Sequence, residues 1–174
     1  IIFLLRVIKN MNNLEVIKWI KEVTGLDGYE LRSGIEVVVS KPYSKVWKIK
    51  KNSSSIYFKQ VSDQLFLELK IIKTLRASCQ YLNVPEIIAE NKQLNCFLMK
   101  DCGAVNLRDY FKGSFQEDIF KKGLQSYKSM QKSTIGCVDE LIDLGVPDWR
   151  LEKLPCLYQN IIRNSELLHI IGLE

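Results

Sequence analysis

Lys59 sits near the end of a β-branched and aromatic run, Ile56-Tyr57-Phe58-Lys59-Gln60-Val61, and Glu68 follows within a helical pattern. An ammonium on a rigid strand and a carboxylate on the next helix can form a charge-assisted hydrogen bond that fixes both groups. The plainer alternatives are an edge-strand lysine that blunts aggregation and a solvated helix glutamate. Other chemistries find little support. The cysteines, Cys79, Cys96, Cys102, Cys137 and Cys156, are odd in number and show no C-x-x-C spacing, and His169 is the single histidine. A zinc site is not expected from such a set. Scattered cysteines suit a reducing cytoplasm, the expected location, where they act as small apolar residues.

The chain has 174 residues, 47% hydrophobic and 26% charged, with a net charge of +5. That length suffices for one sizeable domain, or for a small lobe plus part of another. The lysines are scattered and form no block, which reads as a solvated surface and not as a nucleic-acid interface. The opening Ile1-Ile2-Phe3-Leu4-Leu5-Arg6-Val7-Ile8-Lys9 is too short to span a bilayer, and no small-residue cleavage site follows it. No membrane segment is expected. Met11-Asn12-Asn13 looks like a translational start, so residues 1–10 are read as a leader or upstream extension, or the sequence as an excised fragment.

Several elements must position Lys59 and Glu68. Asn12 or Asn13 can cap a helix with the stripe Leu14, Val16, Ile17, Trp19, Ile20 and Val23, ended by Gly25. A short strand is expected at 29–32 and a stronger one at 35–39. A break at 40–44 precedes a strand at 46–50, with Val46, Lys48 and Lys50 on one face and Trp47 and Ile49 on the other. After a polar turn comes the strand 56–61. Ser62 or Asp63 then caps a helix through Leu65, Phe66, Leu69, Ile72 and Leu75, with Glu68 at the edge of that ladder. Val84-Pro85 opens an extended segment, and 86–90 with 95–99 make a hairpin. The fold class is therefore α+β: five antiparallel strands with one crossing helix. Beyond Gly103 the pattern turns helical. Asn106 caps a short helix, Ser114 a longer one over 115–133, 138–144 forms another, and Asp148 caps a stretch from Trp149 to Leu168 that contains Pro155.

These residues resemble the aminoglycoside phosphotransferase and choline kinase-like family, a branch of the protein-kinase-like fold. Three features carry the resemblance over roughly 19–168. They are Lys59 followed by Glu68, the Val84-Pro85 strand leading to Phe97-Leu98-Met99-Lys100-Asp101-Cys102-Gly103, and the segment Asp143-Leu144-Gly145-Val146-Pro147-Asp148-Trp149-Arg150-Leu151-Glu152-Lys153-Leu154. The resemblance implies a nucleotide-binding N-lobe over 11–99, a hinge at 100–105 and the start of a helical C-lobe over 106–174. It implies ATP or GTP as the nucleotide, with Lys59 on the phosphates and Glu68 orienting it. Adenine would lie against Met99 and be read by the carbonyl of Lys100 and the amide of Cys102.

The chain departs from the family at several points. The phosphate-loop position, 40–44, contains no glycine to let backbone amides approach phosphate closely, so Ser40 and Ser44 are the candidate donors there. Tyr57 lies on the Lys59 face, where it could stack on the base or crowd it. The family's H-x-D-x-x-x-x-N loop and metal-binding aspartate have no counterpart: no aspartate follows Asp148, and Ile170-Ile171 follow His169. No catalytic or metal-ligating residue is therefore assigned, and Mg²⁺ is expected only in a longer parent that phosphorylates a small-molecule hydroxyl. The leading expectation is the ATP-binding part of such a phosphotransferase, inactive alone. The alternatives are a pseudokinase-like module binding nucleotide or protein, which could dimerise through exposed C-terminal helices, and a lobe that binds no nucleotide.

Overall fold

The alternation along 46–50 decides which way the sheet faces. In the computed structural model, which describes residues 13–51, 54–103 and 106–170, Trp47 and Ile49 point into one core. Val46 and Lys48 occupy the opposite face by strand alternation. The expectations for residues 1–12 lie outside the described residues. Five antiparallel strands form one sheet: β1 (Ile35–Lys41), β2 (Ser44–Lys51), β3 (Ser54–Val61), β4 (Ile87–Asn91) and β5 (Cys96–Lys100), in the order β1-β2-β3-β5-β4.

The first face is closed by helix α1 (Asn13–Thr24). Val16 and Ile20 pack with Trp47, Ile49, Phe58 and Leu98, and the Trp47 and Phe58 rings lie 4.7 Å apart at 32°. Leu14 and Val23, counted on the apolar stripe, are exposed. Gly25 ends the helix at φ +72, its amide donating to the Lys21 carbonyl at 2.8 Å.

The expected strand at 29–32 is instead helix α2 (Gly28–Gly34). Asp27 accepts from the amides of Tyr29 and Glu30, and the Glu30 carboxylate accepts from the Asp27 amide at 2.9 Å. This reciprocal capping box was present in the sequence as Asp27-x-x-Glu30 and outweighs the weak strand propensity of four residues. Asp27→Ala should lower stability by about 1 kcal/mol in urea denaturation.

The second face carries Val61 and Phe97, covered by Phe66 and Leu69. The crossing helix begins with a 3₁₀ turn, Asp63–Phe66, and continues as α3 (Leu67–Ala77). Neither Ser62 nor Asp63 caps it with a side chain: the Ser62 carbonyl accepts the Leu65 and Phe66 amides, and Asp63 bonds Asn95 in the β4–β5 turn.

Burial pushes the Cys96 thiol up to about 12 from its ordinary value of 9.0. Stability from keeping this thiol neutral is present below pH 9 and is lost as pH rises through the folded value. The urea midpoint should therefore fall above pH 9 more steeply in the parent than in Cys96→Ala.

Contacts divide the chain into two compact units on either side of Cys137. In the first, beyond β5, lie α4 (Leu107–Tyr110), capped by Asn106 through the Asp109 amide, and α5 (Glu117–Thr134). Helix α5 starts after Gln116, later than a Ser114 cap would place it, and Gln116 makes no side-chain cap bond. The second unit contains α6 (Val138–Asp143), α7 (Leu154–Ile162) and α8 (Ser165–Ile170). Asp148 does not cap a helix at Trp149. It holds Arg150 instead, accepting from the amide, Nε and Nη2. Pro155 falls in the first turn of α7, where its missing N–H costs no helical bond. Among the described residues no helix is long and apolar enough to cross a membrane.

Candidate functional site

The site is built from rows that run across the second face. Directly opposed residues share a face, and the register aligns Lys48, Tyr57 and Met99 in one row and Val46, Lys59 and Phe97 in the next. Rows two residues apart are separated by about 7 Å along the strands. A ligand lying along β3 therefore meets Tyr57 and Met99 at one end and Lys59 farther on.

Lys59 Nζ donates to both carboxylate oxygens of Glu68, at 2.7 Å to Oε1 and 2.6 Å to Oε2. Strand β3 supplies the lysine and the first turn of α3 the glutamate. The Glu68 side chain is 42% exposed and that of Lys59 20%. A pair this open contributes at most about 1 kcal/mol to stability, so its main consequence is geometric: it holds one ammonium at a fixed place on the sheet.

Toward the other row, Tyr57, Pro85, Met99, Asn106 and the hinge residues 100–103 line an open cleft of about 330 Å³. That volume is at the lower end for small-molecule sites. Met99 is half-buried against the Phe97 cluster, so it is part of the core and of the cleft at once. The Lys100 amide donates to the Glu86 carbonyl at 2.9 Å, and its ammonium meets Glu86 at 2.7 Å. The Lys100 hydrogen bond holds the Glu86 carboxyl below its usual value. The Cys102 thiol makes a long contact to the Lys100 carbonyl, at 3.8 Å.

Ser40 and Ser44 part company. The chain turns through Pro42 and Tyr43, with Lys41 opposite Ser44 and Ser40 opposite Lys45. Ser44 falls on the Lys59 face, while Ser40 falls on the other. The register thus puts Lys59, Met99 and Ser44 on one face and Ser40 on the other; Glu68 joins that face through its bonds to Lys59, while Lys100, opposite Ile56, and Cys102 line the cleft at the end of β5.

Two residues that the sequence did not single out also belong here. Lys48 lies 3.6 Å from Asp101 and 5.7 Å from the centre of the Tyr57 ring. Tyr57 raises the Lys48 ammonium above its ordinary value; burial works against this, and Asp101 and Glu36 add to it. The alternation along β2 placed Lys48 on this face, but nothing local signalled its long-range partner.

The donor set bears on what can bind. The face offers a fixed ammonium at Lys59 and, one row away, a cleft walled by Tyr57, Pro85 and Met99. Among the described residues no group of three or more His, Cys, Asp or Glu side chains is placed to hold a metal ion.

No protein-family model matches the sequence, and no curated protein matches it either. Four chains among the solved structures match its fold. One is APH(2'')-IIa in a ternary complex with streptomycin and ATP, at a TM-score of 0.56 and 14% identity. The match covers 94% of this chain and 55% of that one, so the chain spans about half of its length. At this identity the likeness concerns the fold alone: the chain is α+β, with a kinase-like five-stranded lobe and part of a helical one.

Proposed function

We propose that the chain is the nucleotide-binding part of an ATP-dependent small-molecule phosphotransferase resembling the aminoglycoside phosphotransferases. Residues 11–99 are the N-lobe, 100–105 the hinge and 106–174 the beginning of the helical lobe. The observation that carries this reading is Lys59, held by both oxygens of Glu68 on the sheet face that also bears the hinge cleft. ATP, or GTP in its place, would set its base between Tyr57, Met99 and the hinge, with the Lys100 carbonyl and Cys102 amide as its polar contacts. Its phosphates would extend about two residues along β3 to the Lys59 ammonium, with the Ser44 hydroxyl as a further donor.

These residues bind and orient. Moving the γ-phosphate to a hydroxyl acceptor needs an aspartate to take the proton and carboxylates for magnesium, and residues 1–174 offer no H-x-D-x-x-x-x-N pattern for them. The chain by itself therefore binds nucleotide without transferring phosphate. A cytoplasmic setting accompanies this reading.

The test is thermal. Millimolar ATP should raise the melting temperature of the chain, because a ligand that binds only the folded state stabilises it by mass action. An unchanged melting temperature with ATP and with GTP, with or without Mg²⁺, would remove the nucleotide site.

A further inference from the structure

The hinge carries a charge pair that the phosphate end of the site does not use. Asp101 stands between Lys100 and Cys102, the two residues whose backbone would read the base. Its Oδ1 accepts the Gly103 amide at 2.9 Å, and its Oδ2 lies 3.6 Å from Lys48 Nζ. Lys48 belongs to β2, which β3 separates from β5 in the sheet order. The pair therefore ties the hinge back to the sheet across the Tyr57 ring, with the ammonium 5.7 Å from its centre. Both side chains are about a quarter exposed, at 23% and 24%. Gly103 adopts φ +147, a conformation that side chains with a Cβ rarely take.

We propose that Lys48 and Asp101 are positioning residues that hold the 100–103 backbone in the shape that receives the base. The proposal rests on the nucleotide reading above. Without the Asp101 carboxylate the Gly103 amide loses its acceptor and Lys48 its counter-charge, so the hinge must be ordered at the moment of binding, at a cost in affinity. Lys59 lies one row away and has its own partner in Glu68. The base end and the phosphate end are thus separable.

Calorimetric titration with two probes separates them: ATP, and inorganic tripolyphosphate, which has no base. Asp101→Ala should weaken ATP about tenfold, the scale of losing hydrogen bonds to a charged group, and leave tripolyphosphate unchanged. Asp101→Asn keeps an acceptor for the Gly103 amide and loses the charge, so it should fall between parent and Asp101→Ala. Lys48→Met should behave like Asp101→Asn. These two milder variants carry the test if Asp101→Ala fails to fold. ATP affinity equal to the parent's in the folded variants would overturn the proposal, and so would equal losses for both probes. If the parent binds neither probe, the nucleotide reading itself falls. If it binds ATP and the variants do too, only the hinge role falls.

Discussion

Lys59→Ala should weaken ATP binding by about ten- to a hundredfold, the scale of a lost hydrogen bond between charged groups. Lys59 Nζ is held by both oxygens of Glu68, so the ammonium is ordered before ligand arrives and little entropy is lost on contact. The alanine variant should keep its fold, because the ion pair is open to solvent and contributes little to stability. Glu68→Gln should weaken binding less, since the amide oxygen still accepts from Lys59 while the charge that orients it is gone. Calorimetry on the folded variants reads both effects. Affinity unchanged in Lys59→Ala would take Lys59 out of the site.

Phe58→Ala should lower stability by about 3–5 kcal/mol in urea denaturation, the range for emptying a buried aromatic position. Phe58 has no exposed surface and packs against the Trp47 ring. Domains of this size are stable by only about 5–15 kcal/mol, so the variant stands near the unfolding threshold. Phe58 also precedes Lys59 on β3, which makes the first core the support of the second face. Leu14→Ala, at a position 84% exposed, should change stability by less than about 0.5 kcal/mol.

The sheet was legible where the alternation was clean. Trp47 and Ile49 against Val46 and Lys48 gave the two faces of β2, and Lys59 with Glu68 gave an ion pair that the folded chain forms. Other features were lost for physical reasons. Four residues at 29–32 carry no period long enough to separate strand from helix, and only the reciprocal bonds of Asp27 and Glu30 decide it. Ser114 and Asp148 are common capping types, but Gln116 occupies the real start of α5 and Arg150 claims Asp148. Ser40 and Ser44 look equivalent on paper. A turn at Pro42 and Tyr43 sends them to opposite faces, because side-chain direction depends on register. Lys48 with Asp101 was out of reach, since their contact depends on sheet order and not on spacing.

The proposed placement sets the nucleotide on the Lys59 face with its base at the hinge. An NMR titration of the labelled chain with ATP tests it most directly. Shifts are expected in the amide signals of Tyr57, Lys59, Met99 and Cys102. Shifts absent from the hinge and β3, or confined to residues outside them, would contradict it.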